Sequence, residues 1–194
     1  METQERCRVC YDYIFSPKQA RAKQEYCVHE GERIVLGCML WERNLTKKAI
    51  DILKTDDFDI QENRIVYKAI LELFKKRTLF EQQGTVFSDW TVPVVNVNLL
   101  LEEKRTKIPR EYIMSLAIAW IPGALFLPDS PVLPSDVLSY FAYGVKRYAI
   151  IRHFREVSDT NMTDRLKDYL CPIETKIKQT QTYKMMLKER SGKN

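Results

Sequence analysis

Apolar residues in this chain recur at three- and four-residue intervals, the period of an α-helix with one buried face. Ile34, Val35, Leu36, Met39 and Leu40 mark a first helix, and Ala49, Ile50 and Leu53 a shorter second one for which Thr46 is the expected N-cap. Asp59-x-x-Glu62 has the spacing of a capping box and opens a long helix with the stripe Ile65, Val66, Ala69, Ile70, Leu73 and Phe74. Lys75, Lys76 and Arg77 fall in its last turn, where cations complement the helix dipole. Residues 78–96, with Gly84 and Pro93, read as loop. Within them the β-branched stretch from Thr91 to Val97 suggests a short strand with nothing to pair with. Asn98 is the expected cap of a helix through Leu99, Leu100, Leu101 and Lys104. Pro109 suits the first position of another, through Tyr112, Ile113, Leu116 and Ala117. After a turn rich in proline (Pro122, Pro128, Pro131, Pro134), Ser135 starts the longest helix, buried along Val137, Leu138, Phe141, Val145, Tyr148, Ala149 and Ile151. The fold class is all-α.

Composition agrees. The 194 residues are 45% hydrophobic and 29% charged, a soluble globular balance. Six glycines and eight prolines are too few for a fold built on tight turns. No two of Gly31, Gly37, Gly84, Gly123, Gly144 and Gly192 stand five apart, so a phosphate-binding G-x-x-x-x-G-K-[ST] loop cannot be written. With two histidines and no nucleophile setting around them, the expectation is a non-enzymatic protein that uses no nucleotide. The longest apolar run, Leu116 to Leu127, is half a membrane span and is read as buried core. The polar start and five cysteines, an odd number, place the protein in the reducing cytoplasm, away from membranes.

Three regions emerge: a Cys-rich arm (1–29), a periodic helical domain (30–157) and a basic helical tail (158–194). In the arm, Cys7-x-x-Cys10 followed by Cys27-x-His29 offers four N/S ligands of the kind that complete a tetrahedral zinc site, and zinc would fold a segment without a core. Free thiols in the arm are the alternative. Cys38 and Cys171 read as packed or helix-face residues. The formal charge is +5, yet from Lys146 to Asn194 twelve Lys and Arg face six Asp and Glu, so the rest of the chain sums to −1. That excess suits either contact with nucleic acid phosphates or a solvated helix face. Cys171-Pro172 is expected to kink or break any helix there.

The segment from Glu32 to Arg77 resembles the start of the N-terminal domain of the bacterial replicative helicase DnaB. The pattern E-x-x-V-L-G-x-x-L falls on Glu32, Val35, Leu36, Gly37 and Leu40. Leu53, Asp57 and Phe58 follow, and R-x-I-[FY]-x-A-I-x-x-L is represented by Arg64, Ile65, Val66, Tyr67, Ala69, Ile70 and Leu73. Val97 to Glu103 and Ser135 to Phe154 are similar to later family helices, the second through Val137, Tyr140, Ala142, Val145, Lys146 and Arg152. Phe80 to Val94 departs from the family in length and content. The resemblance implies a compact helical domain with a C-terminal helical hairpin, without the RecA-like motor. It implies protein–protein work: docking on a replicative helicase or a DnaG-type primase, or homodimer formation through the hairpin. Lys146, Arg147, Arg152 and Arg155 are the expected partner or phosphate contacts. The competing expectation is a zinc-dependent nucleic-acid-binding module using Cys7, Cys10, Cys27, His29 and the basic tail.

Overall fold

The computed structural model of the chain describes residues 21–82, 94–125, 133–156 and 162–191. Among these, eight α-helices and one 3-10 turn make up the regular structure, with no strand. They are α1 (Arg21–Trp41), α2 (Arg43–Ile52), the 3-10 turn (Thr55–Asp57), α3 (Gln61–Gln82), α4 (Val94–Glu103), α5 (Arg110–Leu125), α6 (Pro134–Glu156), α7 (Met162–Gln179) and α8 (Gln181–Ser191). The all-α expectation holds.

Helix α1 is the axis of the core. From Ile34 to Leu40 every residue is buried, because α5, α6, α2 and α3 all pack around it. Helix α2 is amphipathic, with Leu45, Thr46 and Ala49 inside. Thr46 does not cap it. The residue lies within the helix, and its hydroxyl donates to the carbonyls of Met39 (2.8 Å) and Glu42 (3.2 Å), closing the end of α1 instead. Between α2 and α3, Phe58 is fully buried with its ring centroid 4.8 Å from that of Tyr67, whose hydroxyl donates to the Leu53 carbonyl at 2.7 Å. Phe58 thus plugs the core at a point where the chain turns twice.

The β-branched stretch does not form a strand where it is described. Val94 already begins α4, and Asn98 lies buried inside that helix rather than at its start. Valine's modest helical penalty is outweighed when Val97, Leu100 and Leu101 can bury against α3 and α5. The helix ends in a Schellman motif. Arg105 takes a left-handed φ of 51°, its N–H donates to Glu102, and the Thr106 N–H donates to Leu101.

Helices α6 and α7 pair antiparallel, as Arg147 opposite Glu174 and Phe154 opposite Tyr169 require. The expected hairpin is therefore present. Pro172 lies inside α7, and the helix continues through it. The residue is exposed, so the carbonyl it leaves unpaired one turn earlier, at exposed Asp168, faces water. Ile177 at the far end of α7 is fully buried in the common core. Asp136, at the start of α6, accepts from the Gln181 N–H (3.1 Å), the Thr182 N–H (2.8 Å) and the Thr182 hydroxyl (2.8 Å), tying down the start of α8.

Candidate docking surface

Several of the polar residues singled out in the sequence, Glu32, His29, Asp57, Asp59, Lys146 and Arg152, converge at the junction of α1, the 3-10 turn, α3 and α6. Glu32, on α1, is fully buried. Its carboxylate accepts from the backbone N–H of Asp59, from that of Ile60 (3.3 Å) and from the Asn63 amide (2.7 Å). Asn63 in turn accepts from the Tyr112 hydroxyl at 2.6 Å, bringing in α5. Burial pushes the Glu32 carboxyl above its ordinary value, against the pull of those donors. Glu32 thus supplies the acceptor at the entry to α3 that the Asp59/Glu62 capping box was expected to provide.

Asp59 is used otherwise. Its carboxylate lies 3.0 Å from His29 Nε2 and accepts from Arg152 Nη1 at 2.6 Å, while Arg152 Nη2 donates to the Asp56 carbonyl at 2.7 Å. Partial burial pushes Asp59 upward, but the hydrogen bonds and charge of His29 and Arg152 prevail and hold it below the usual carboxylate range. Lys146 clamps both oxygens of Asp57 (2.9 and 2.8 Å), and Asp57 also accepts from the Lys54 N–H at 2.7 Å. Arg147 pairs with Glu174 at 3.1 Å.

Three of the four cations expected to meet a partner or a phosphate, Lys146, Arg147 and Arg152, are thus engaged inside the chain. Lys146 and Arg152 bolt α6 to the turn before α3, and Arg147 bolts it to α7. The side chain of Arg155 lies outside the described residues. So do Cys7, Cys10 and the side chain of Cys27, whose backbone is part of α1; of that expected ligand set only His29 is described in full. Among the described residues no group of three His, Cys, Asp or Glu is placed to hold a metal. Cys38 is buried, which pushes its thiol well up, and Cys171 is exposed. His153 is exposed at the outer end of the hairpin, where Phe154 packs against Tyr169 with centroids 5.5 Å apart.

What reaches solvent instead is apolar. Val95 (54% exposed) and Leu99 (57%) lie one turn apart on α4, and Met114 (44%) and Ile118 (56%) one turn apart on α5. The two helices pack together and are joined by residues 104–109. Beside them Trp41 is 47% exposed, its indole N–H held by the Ala117 carbonyl at 2.9 Å. Exposed aliphatic side chains on two packed helices, with a pinned indole held to one of them, have the composition of a protein-contacting face. Sequence reasoning missed it, reading Leu116 to Leu127 wholly as core, whereas Ile118 faces out. The signal was there: α4 and α5 carry apolar residues around more of their circumference than one core can cover. No described helix is long and apolar enough to cross a membrane.

Residues 24–83 match the family model of the DnaB-like helicase N terminal domain. The matched segment runs from α1 to the end of α3, just under a third of the chain, and contains Glu32, Asp57, Asp59 and Asn63. Neither a curated protein nor a solved structure matches the chain.

Proposed function

Starting from a DnaB-like helicase N-terminal segment at residues 24–83, we propose that this chain is a non-enzymatic docking module of DNA replication. Its partner is a replicative helicase or a DnaG-type primase, or a second copy of the chain. The observation that carries the reading is the exposed apolar rows on α4 and α5 beside Trp41. Lys146, Arg147 and Arg152 are engaged within the chain by Asp57, Glu174 and Asp59, and the partner is proposed to dock on α4 and α5 instead.

The test is a pull-down from nuclease-treated extract with the wild-type chain and with Leu99→Glu/Ile118→Glu. Wild type should retain helicase or primase, and the double variant should lose it with an unchanged melting temperature, since both positions are exposed. Equal capture by the two proteins removes this surface from the reading. If only nucleic acid is recovered from untreated extract, the docking assignment is wrong, and attention passes to the arm with Cys7, Cys10, Cys27 and His29.

A further inference from the structure

A second surface stands on charge. Lys68, Leu71, Glu72, Lys75 and Lys76 occupy one face of α3, at spacings of three, four, seven and eight residues, and line an open hollow of about 340 Å³. Lys104 reaches it from the end of α4 and bonds Glu72, which also pairs with Lys76 at 3.1 Å. Four lysines therefore share this region with one carboxylate, and that carboxylate is committed to Lys76 and Lys104. Lys68 and Lys75 are exposed and have no acidic partner among the described residues. The lining between them is largely carbon, from half-buried Leu71 and the lysine stems.

We infer that this hollow binds an acidic peptide segment carrying an aliphatic residue between its carboxylates. Lys68 and Lys75 are seven residues apart, roughly 10 Å along the helix. Carboxylates four residues apart on an extended chain lie on one face with the residue midway between them and span about 13 Å, a distance that two long lysine side chains can reach across. The aliphatic side chain between them seats on Leu71, and the lysines take the flanking carboxylates. A nucleic acid strand fits less well, because none of the described residues lining the hollow offers an aromatic ring for a base to stack on. This inference uses side chains other than Val95, Leu99, Met114 and Ile118, so either surface can fail alone.

The test is fluorescence polarisation with the full chain and three labelled probes of equal length. These are a peptide repeating glutamate–serine–leucine–serine, which puts glutamate and leucine on one face, one with serine in place of leucine, and an oligothymidine. The glutamate–leucine peptide should bind tightest, and more weakly as salt rises. Lys68→Glu/Lys75→Glu should weaken it about tenfold or more, with helix content by circular dichroism unchanged. The serine peptide should bind about tenfold less well than the leucine one. The inference is overturned if no probe binds, if charge reversal leaves affinity unchanged, if the two peptides bind equally, or if the oligothymidine binds tighter.

Discussion

Replacing Glu32 separates a structural latch from a dispensable surface acid. Glu32→Ala removes the acceptor for two backbone N–H groups at the entry to α3 and for the Asn63 amide. A buried donor left unpaired costs about 1–3 kcal/mol. Asp59 and Ile60 are only half-buried, so water recovers part of their loss, whereas Asn63 is fully buried. Relief from burying a carboxylate offsets a further part, leaving a net loss of about 3 kcal/mol. For a chain of this size that lowers the melting temperature by about 6–12 °C. The sign of the pH dependence follows from the direction of the Glu32 shift. Burial raises its pKa, so the folded chain keeps a proton that the unfolded chain has already released. Stability from this group is full below the ordinary glutamate value and is lost as pH rises through the raised one. Glu32→Gln cannot titrate and lacks that slope, so its deficit against wild type should narrow as pH rises from the ordinary glutamate value through the raised one. Thermal melts of the three proteins across that range are the assay. An alanine variant melting within about 2 °C of wild type would refute the latch, and a glutamine deficit that widens with pH would refute the assigned direction.

Lys146→Met leaves the largely buried Asp57 without its cation and should cost about 2 kcal/mol; a urea titration checks this, and an unchanged midpoint with lost partner binding would return Lys146 to a contact role. Asp136→Ala removes the acceptor at the start of α8 and should cost about 1 kcal/mol, seen as faster hydrogen exchange in residues 181–191 with slower-exchanging α1 unaffected. Arg105→Gly relieves a left-handed backbone in a side chain that is exposed and should raise stability by about 0.5 kcal/mol; a fall in melting temperature would mean that Arg105 makes a contact worth more than the strain. Asp59 is held below the carboxylate range by His29 and Arg152. Its contribution is present above the ordinary aspartate value and is lost as acid takes pH down through the lowered one, so Arg152→Gln should flatten the acid limb of the wild-type stability curve.

Local pattern carried the helices because burying a stripe at period 3.6 is a property of the sequence itself. Ile34 to Leu40, Val66 to Ile70 and Val137 to Ala149 could be assigned to the core before any neighbour was known. The order and spacing of those positions also carried the family resemblance over the segment that the family model matches. Boundaries and caps were another matter. Thr46 and Asn98 have the chemistry of N-caps, but a cap is decided by which carbonyl or N–H lies opposite, and α1 and the core outcompeted the local use. Glu32 took over the capping of α3 from a distance of about thirty residues, and no local rule reaches that far.

The charged residues show the limit most clearly. Lys146, Arg147 and Arg152 have the same spacing whether they face water, a partner or Asp57, Glu174 and Asp59. Only packing α6 against the turn and α7 determined which, because an ion pair depends on distance between elements and not along one. The same holds for the apolar faces of α4 and α5. Their sequence says that more surface wants burial than one helix face provides, and only the packed core shows which side chains, Val95, Leu99, Met114 and Ile118, it leaves outside. Hydrophobic period is written along the chain, so it determined the elements; what each leftover side chain meets is a matter of three-dimensional neighbours, and the tertiary structure alone decided it.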